Sequence, residues 1–247
     1  MRNISDLSHE LVGLVESAIE NGMRQDSLLP ARSLEVEGMS SPKIRHFLHS
    51  LASNFPGGKR SLKYLEIGVY KGSTLISFLG GNEEKFARVV AVDNFLEFDD
   101  SGTNFAKLQA NLATYSKIDS IRDRLTFLKK SCWDVGQDLD RNMASGGRFN
   151  VYFYDGPHDF EDHFKAISMF HKYLANDSVL IVDDYNQQRV RDGTQRGLSE
   201  LVSRGEFQVL GQWEVLSRWN GDTQGWWDGL GIFVLSRTKK LDFPREL

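Results

Sequence analysis

The sequence predicts an α/β fold: a mostly parallel sheet covered by helices, with further helices at the N-terminus. Two observations carry this. From Leu62 onward, short apolar runs alternate with stretches of helical periodicity, the pattern of right-handed βαβ units whose strands are buried on both faces. Before Leu62, apolar residues recur only at helical spacing.

Leu7, Leu11, Leu14, Val15 and Ile19 fall on one face of a first helix, and an irregular stretch follows around Pro30. Ser41 reads as an N-cap with Pro42 at the first helical position. Ile44, Phe47, Leu48, Leu51 and Phe55 then form a buried stripe that Pro56-Gly57-Gly58 ends. Strands are predicted at 62–67, 88–93, 124–129, 150–155 and 178–183, and helices at 72–80, 103–116, 160–175 and 189–203. Runs at 206–217 and 229–237 supply two last strands, making seven, with the final one antiparallel. The predicted division is a helical extension, 1–58, and a ligand-binding domain, 59–247.

A chain of 247 residues, 40% hydrophobic and 26% charged, can bury a sizeable core. Thirty basic residues against thirty-four acidic ones give a net charge of −4, with no basic block. Nucleic acid and anionic membrane are therefore not expected partners. Cys132 is the single cysteine, which excludes an internal disulfide and a cysteine-based zinc site. The polar N-terminus lacks the apolar core of a signal peptide, and a reducing cytoplasm is the expected compartment.

In parallel sheets ligands bind beyond the carboxyl ends of the strands. Glu66, Gly68, Asp93, Ser131, Asp155, His158, Asp183 and Asp184 all fall at that edge. Gly68 and Gly72 allow close approach to a ligand in "YLEIGVYKGSTLISFL", where Ser73 opens the next helix. Asp93 ends the second strand, where a carboxylate can accept from ribose hydroxyls. A dinucleotide site would need a glycine where Tyr70 stands, so the turn argues for a ligand without pyrophosphate.

The E-x-G-x-x-x-G form of this turn resembles motif I of class I S-adenosylmethionine-dependent methyltransferases. The resemblance places the methionine part of the cofactor at Glu66, Gly68, Gly72 and Ser73 and its ribose at Asp93. The "KKSCWDV" stretch resembles the adenine-binding segment, with Ser131, Cys132 and Trp133 near the base. Two further stretches, "VYFYDGPHDFEDHF" and "VLIVDDYN", resemble the macrocin and cephalosporin-pathway O-methyltransferases, with catechol O-methyltransferase a looser parallel. That likeness makes Asp155, Asp183 and Asp184 ligands of Mg²⁺, Asp155 also a cofactor neighbour, and His158 the general base. Pro157 and the Asp183-Asp184 pair depart from it, where a small polar residue and Glu-Asp are more usual.

Independently of the resemblance, carboxylates from two adjacent strand ends are the hard ligands that Mg²⁺ prefers. His163 is expected at the surface and His171 on an apolar stripe. In the loop "RWNGDTQGWWDGLG", Trp226 and Trp227 are expected either to wall an acceptor site or to pack on the core or a second copy of the chain. The expected activity is Mg²⁺-dependent methylation of a hydroxyl on a small molecule, sugar or glycan. The rivals are a metal-independent N- or carboxyl-methyltransferase and a non-catalytic binder of S-adenosylmethionine.

Overall fold

The computed structural model describes residues 6–98 and 102–239. Two N-terminal helices, α1 (Asp6–Arg24) and α2 (Pro42–Asn54), precede an alternating series. It runs β1 (Leu62–Ile67), α3 (Ser73–Leu79), β2 (Phe86–Asp93), α4 (Asn104–Tyr115), β3 (Leu125–Lys129), α5 (Gly136–Gly146) and β4 (Phe149–Tyr154). It continues with α6 (Phe160–Phe170), β5 (Leu174–Val182), α7 (Gln188–Ser203), β6 (Phe207–Val215) and β7 (Leu230–Arg237).

The strands form one sheet in the order β3-β2-β1-β4-β5-β7-β6. Strands β1 to β5 pair in parallel, and β7 runs antiparallel to both neighbours. The position of β7 between β5 and β6 explains its nearly continuous apolar run, buried on both faces, whereas edge strand β6 alternates.

One face of the sheet is covered by α1–α4 and the other by α5–α7, each over its own apolar core. Leu11, Val15 and Ala18 of α1 and the whole predicted stripe of α2 are buried in the first core. A buried hydroxyl–carboxylate cluster ties α1 to the sheet: Ser8 Oγ and Ser236 Oγ each donate to Asp177 Oδ1 at 2.6 Å. Ser41 caps α2, its Oγ accepting from Ile44 N–H, with Pro42 opening the helix.

Four expectations change. Leu7, in the first turn of α1, is 39% exposed. Helix α5 was not predicted, since only Leu139 and Met143 of its polar sequence pack on the core. Strand β5 starts at Leu174, four residues before the predicted start, because Leu174 pairs with Phe149. His163 is buried against the Tyr154 ring, while His171 lies half-buried and bonds Glu206 at 2.9 Å. Among the described residues no helix is long and apolar enough to cross a membrane.

Candidate functional site

The chain leaves β1 through a turn that only glycine can make. Gly68 has φ +84°, and a Cβ there would lie 1.7 Å from the Asp155 carbonyl oxygen at the end of β4. The next residues are held by Asp93 at the end of β2. Its Oδ2 accepts from Val69 N–H at 2.9 Å and Tyr70 N–H at 2.7 Å, and its Oδ1 accepts from Phe95 N–H at 2.6 Å. Tyr70 sits at φ +47°, an arrangement costing about 1–2 kcal/mol. The charge-assisted bonds from Asp93, each about 1.5–3 kcal/mol, offset it. Asp93 thus shapes the turn as well as facing the space above it.

That space is an open cavity of about 710 Å³, counted with the solvent in its mouth. Of the predicted residues, Gly68, Asp93, Ser131, Cys132, Asp155 and His158 line it. Burial pushes the Cys132 thiol up to about 12, which suits a packing residue and not a nucleophile.

Glu66, Gly72, Ser73 and Trp133 do not line the cavity. Glu66 is fully buried beneath the turn, where its Oε1 accepts from Thr74 Oγ1 at 2.6 Å and its carboxyl lies beside the buried Tyr64 hydroxyl. Burial raises its carboxyl from the usual 4.5 to about 7. Gly72, at φ +89°, is the N-cap of α3. Ser73 is buried with its Oγ 3.1 Å from Ser40 Oγ. Trp133 packs near Phe170, ring centroids 6.5 Å apart, under the Lys165 ammonium.

The ends of β4 and β5 bring acids and a histidine together. His158 Nε2 lies 2.9 Å from Asp184 Oδ2, and Gln187 Nε2 donates to Asp184 Oδ1 at 3.0 Å. Asp184 adopts φ +58°, which swings its side chain toward the β4 turn. The bond to Asp184 raises the His158 imidazole above its ordinary value, against the effect of burial. Burial, the largest single effect, opposes ionisation of Asp184, but the bond and charge of His158 together with the Gln187 bond outweigh it and hold that carboxyl below its usual value. Asp155 and Asp183 are pushed well up, by burial first and neighbouring carboxylates second.

Asp155, His158 and Asp184 can each offer one ligand atom, all within 4.8 Å of one another. Asp183 is not in that group: it is buried, its Oδ1 accepting from the Asp184 N–H at 2.9 Å. His158 therefore joins Asp155 and Asp184 where the resemblance put Asp183.

The loop between β6 and β7 lies at the same edge, stitched to the segment after β5. Tyr185 N–H donates to Gly229 O at 3.1 Å, and Asn186 N–H to Asp228 O at 2.8 Å. This brings Asp228 beside Asp184; burial, with that neighbouring carboxyl, raises it. Sequence reading missed Asp228, since its place depends on pairing between distant segments. Of the two expectations for the tryptophans, Trp226 meets the one of packing on the core. Trp226 is 6% exposed and packs edge-on to Phe47 with centroids 6.2 Å apart. Trp227 is half-buried against the same core. Trp219 is the exposed tryptophan of the loop.

A glycine turn on β1, an acid ending β2, and acids ending β4 and β5, on a sheet with β7 reversed, define a class I methyltransferase fold. Residues 65–185 match the family described as a methyltransferase domain, so this stretch is a methyltransferase domain on a fold of that class. Solved structures agree on the fold. The O-methyltransferase from Bacillus cereus in complex with SAH is 17% identical, with a TM-score of 0.58 and 91% of each chain covered. The cofactor-bound Rv0187 from MTB is 18% identical, with a TM-score of 0.55 over 91% of this chain and 88% of that one. The SAH-bound methyltransferase PaMTH1 of Podospora anserina is 12% identical, with a TM-score of 0.51 over 96% and 98%. In sequence, an uncharacterised protein of Acanthamoeba polyphaga mimivirus is 21% identical over 175 residues, 67% of this chain and 73% of that protein.

Proposed function

We propose that the protein transfers the methyl group of S-adenosylmethionine to a hydroxyl oxygen, with His158 as general base. The observation that carries this reading is the His158–Asp184 pair, 2.9 Å apart, whose histidine lines the cavity over the Gly68 turn. The cavity fits the donor. Gly68 leaves the turn open, Asp93 offers carboxylate lone pairs to a ribose, and Ser131 and Cys132 form the wall beyond. When bound, S-adenosylmethionine supplies an electrophilic methyl group on a positively charged sulfur. The chain must then orient the acceptor and remove its proton. Asp184 fixes the imidazole ring so that the other ring nitrogen can receive that proton. Tyr70 in place of a glycine favours this donor over a dinucleotide.

Asp155 and Asp184 offer the hard oxygen ligands that a divalent cation such as Mg²⁺ takes, with His158 kept as the base beside them. A cation held there would neutralise the acids and stabilise the alkoxide formed from the acceptor. A second reading is metal-free, and one observation favours it: both Asp184 oxygens already have protein partners, His158 and Gln187. The acceptor is read as a small-molecule or glycan hydroxyl, not nucleic acid or membrane, and the protein as cytoplasmic, with or without a second copy.

Release of S-adenosylhomocysteine with hydroxylated acceptors, before and after exhaustive chelation, tests these readings. Loss on chelation with restoration by Mg²⁺ supports the cation; full activity after chelation supports the metal-free pair. Tight donor binding without release, across hydroxyl, amine and carboxyl acceptors, would indicate a binder instead.

A further inference from the structure

The segment between α1 and α2 is irregular in sequence yet closely held in the fold. Arg45, on α2, is 5% exposed. Its Nη1 donates to the backbone carbonyls of Ser33, Leu34 and Val36 at 3.2, 3.2 and 2.9 Å, and its Nε donates to Ser40 Oγ at 3.0 Å. All four acceptors are neutral. Burying a guanidinium among neutral groups is costly, and burial pushes it down to about 10. A loop that served only as a connection would not need such a centre.

What Arg45 holds is fastened to the glycine turn at three points. Glu37 pairs with Lys71, between Tyr70 and Gly72. Ser40 Oγ lies 3.1 Å from Ser73 Oγ at the start of α3. Gly38 comes so close that a Cβ would stand 2.1 Å from Ser73 Oγ. Between these fastenings, Met39 projects to the cavity, which it lines together with Gly68, Asp93 and His158. It is 42% exposed there, as a wall residue waiting for a ligand would be.

We propose that residues 33–40 are a wall of the methyl-donor site, with Met39 contacting the nucleoside and Arg45 a positioning residue that holds it there. The inference rests on the donor assigned above. It gives the helical extension a part in cofactor binding, although the extension lies outside the matched residues 65–185. A thioether suits the place, because Met adapts to an irregular aromatic surface.

The test is calorimetric titration of the full chain with S-adenosylhomocysteine, together with amide hydrogen exchange. Met39→Ala should weaken binding by roughly three- to tenfold with an unchanged melting temperature, as expected for losing a partly covered apolar side chain. Arg45→Met should weaken it further, with Arg45→Lys intermediate. The ligand should also slow exchange across residues 33–40. Wild-type affinity in Met39→Ala, with no added protection at 33–40, would overturn the proposal even if Arg45→Met fails to fold. Absence of binding by the wild-type chain would instead overturn the donor assignment beneath it.

Discussion

Replacing Glu66 by Gln should make the protein more stable at pH 8 and change the pH dependence of its stability. Glu66 is fully buried, and its carboxyl rises from 4.5 to about 7. Between those values the native chain keeps a proton that the unfolded chain has released. Stability therefore falls as pH rises through this window and levels off above about 7. At 1.36 kcal/mol per unit, the penalty approaches about 3 kcal/mol at pH 8, of which about 2 kcal/mol develops between pH 5.5 and 8. The amide of Glu66→Gln can still accept from Thr74 Oγ1 and has no proton to lose in this range. Urea unfolding of both proteins at pH 5.5 and 8 should show the difference growing in favour of the variant by about 2 kcal/mol. Parallel stability curves would show that Glu66 titrates alike in the native and unfolded chains, and the raised carboxyl beneath the turn would fail.

His158→Ala should lower kcat by roughly 10²–10⁴ where chemistry is rate-limiting, with affinity for S-adenosylhomocysteine nearly unchanged; an unaltered kcat would remove the base from the mechanism. Asp93→Ala should weaken donor binding by the loss of one or two charge-assisted bonds, each about 1.5–3 kcal/mol, and should also loosen the Val69–Tyr70 amides it accepts from. Hydrogen exchange at those two amides, unchanged in the variant, would contradict that double role. Trp226→Ala should cost about 3–5 kcal/mol of stability, as truncation of a buried aromatic does, measured by denaturant unfolding. A stable variant with a raised acceptor KM would return Trp226 to the acceptor wall.

The sequence was most informative where structure is local. The Gly68 turn, Asp93 at the end of β2 and the Ser41-Pro42 helix start all follow from neighbouring residues, and each is in place. What depends on distant segments was not legible. Trp226 stayed open between an acceptor wall and core packing because no neighbouring residue covers it; the cover is α1 and α2, where a Cβ on Gly22 would lie 2.7 Å from the indole. The same separation hid Met39 and Asp228, which reach the site from opposite ends of the chain. The pairing of His158 with Asp184 joins the ends of two strands, and Asp184 sits at φ +58°, which an aspartate in sequence does not announce. Glu66 was assigned to the ligand from its motif position, yet its strand alternation points it beneath the turn into the core.

The central claim is that the cavity over the Gly68 turn binds S-adenosylmethionine. Calorimetric titration of the wild-type chain with S-adenosylmethionine and, separately, with NADH tests it most directly. The account predicts saturable binding of S-adenosylmethionine at one site per chain and none of NADH, because Tyr70 stands where pyrophosphate would need a glycine. Tight binding of NADH with no binding of S-adenosylmethionine would contradict it.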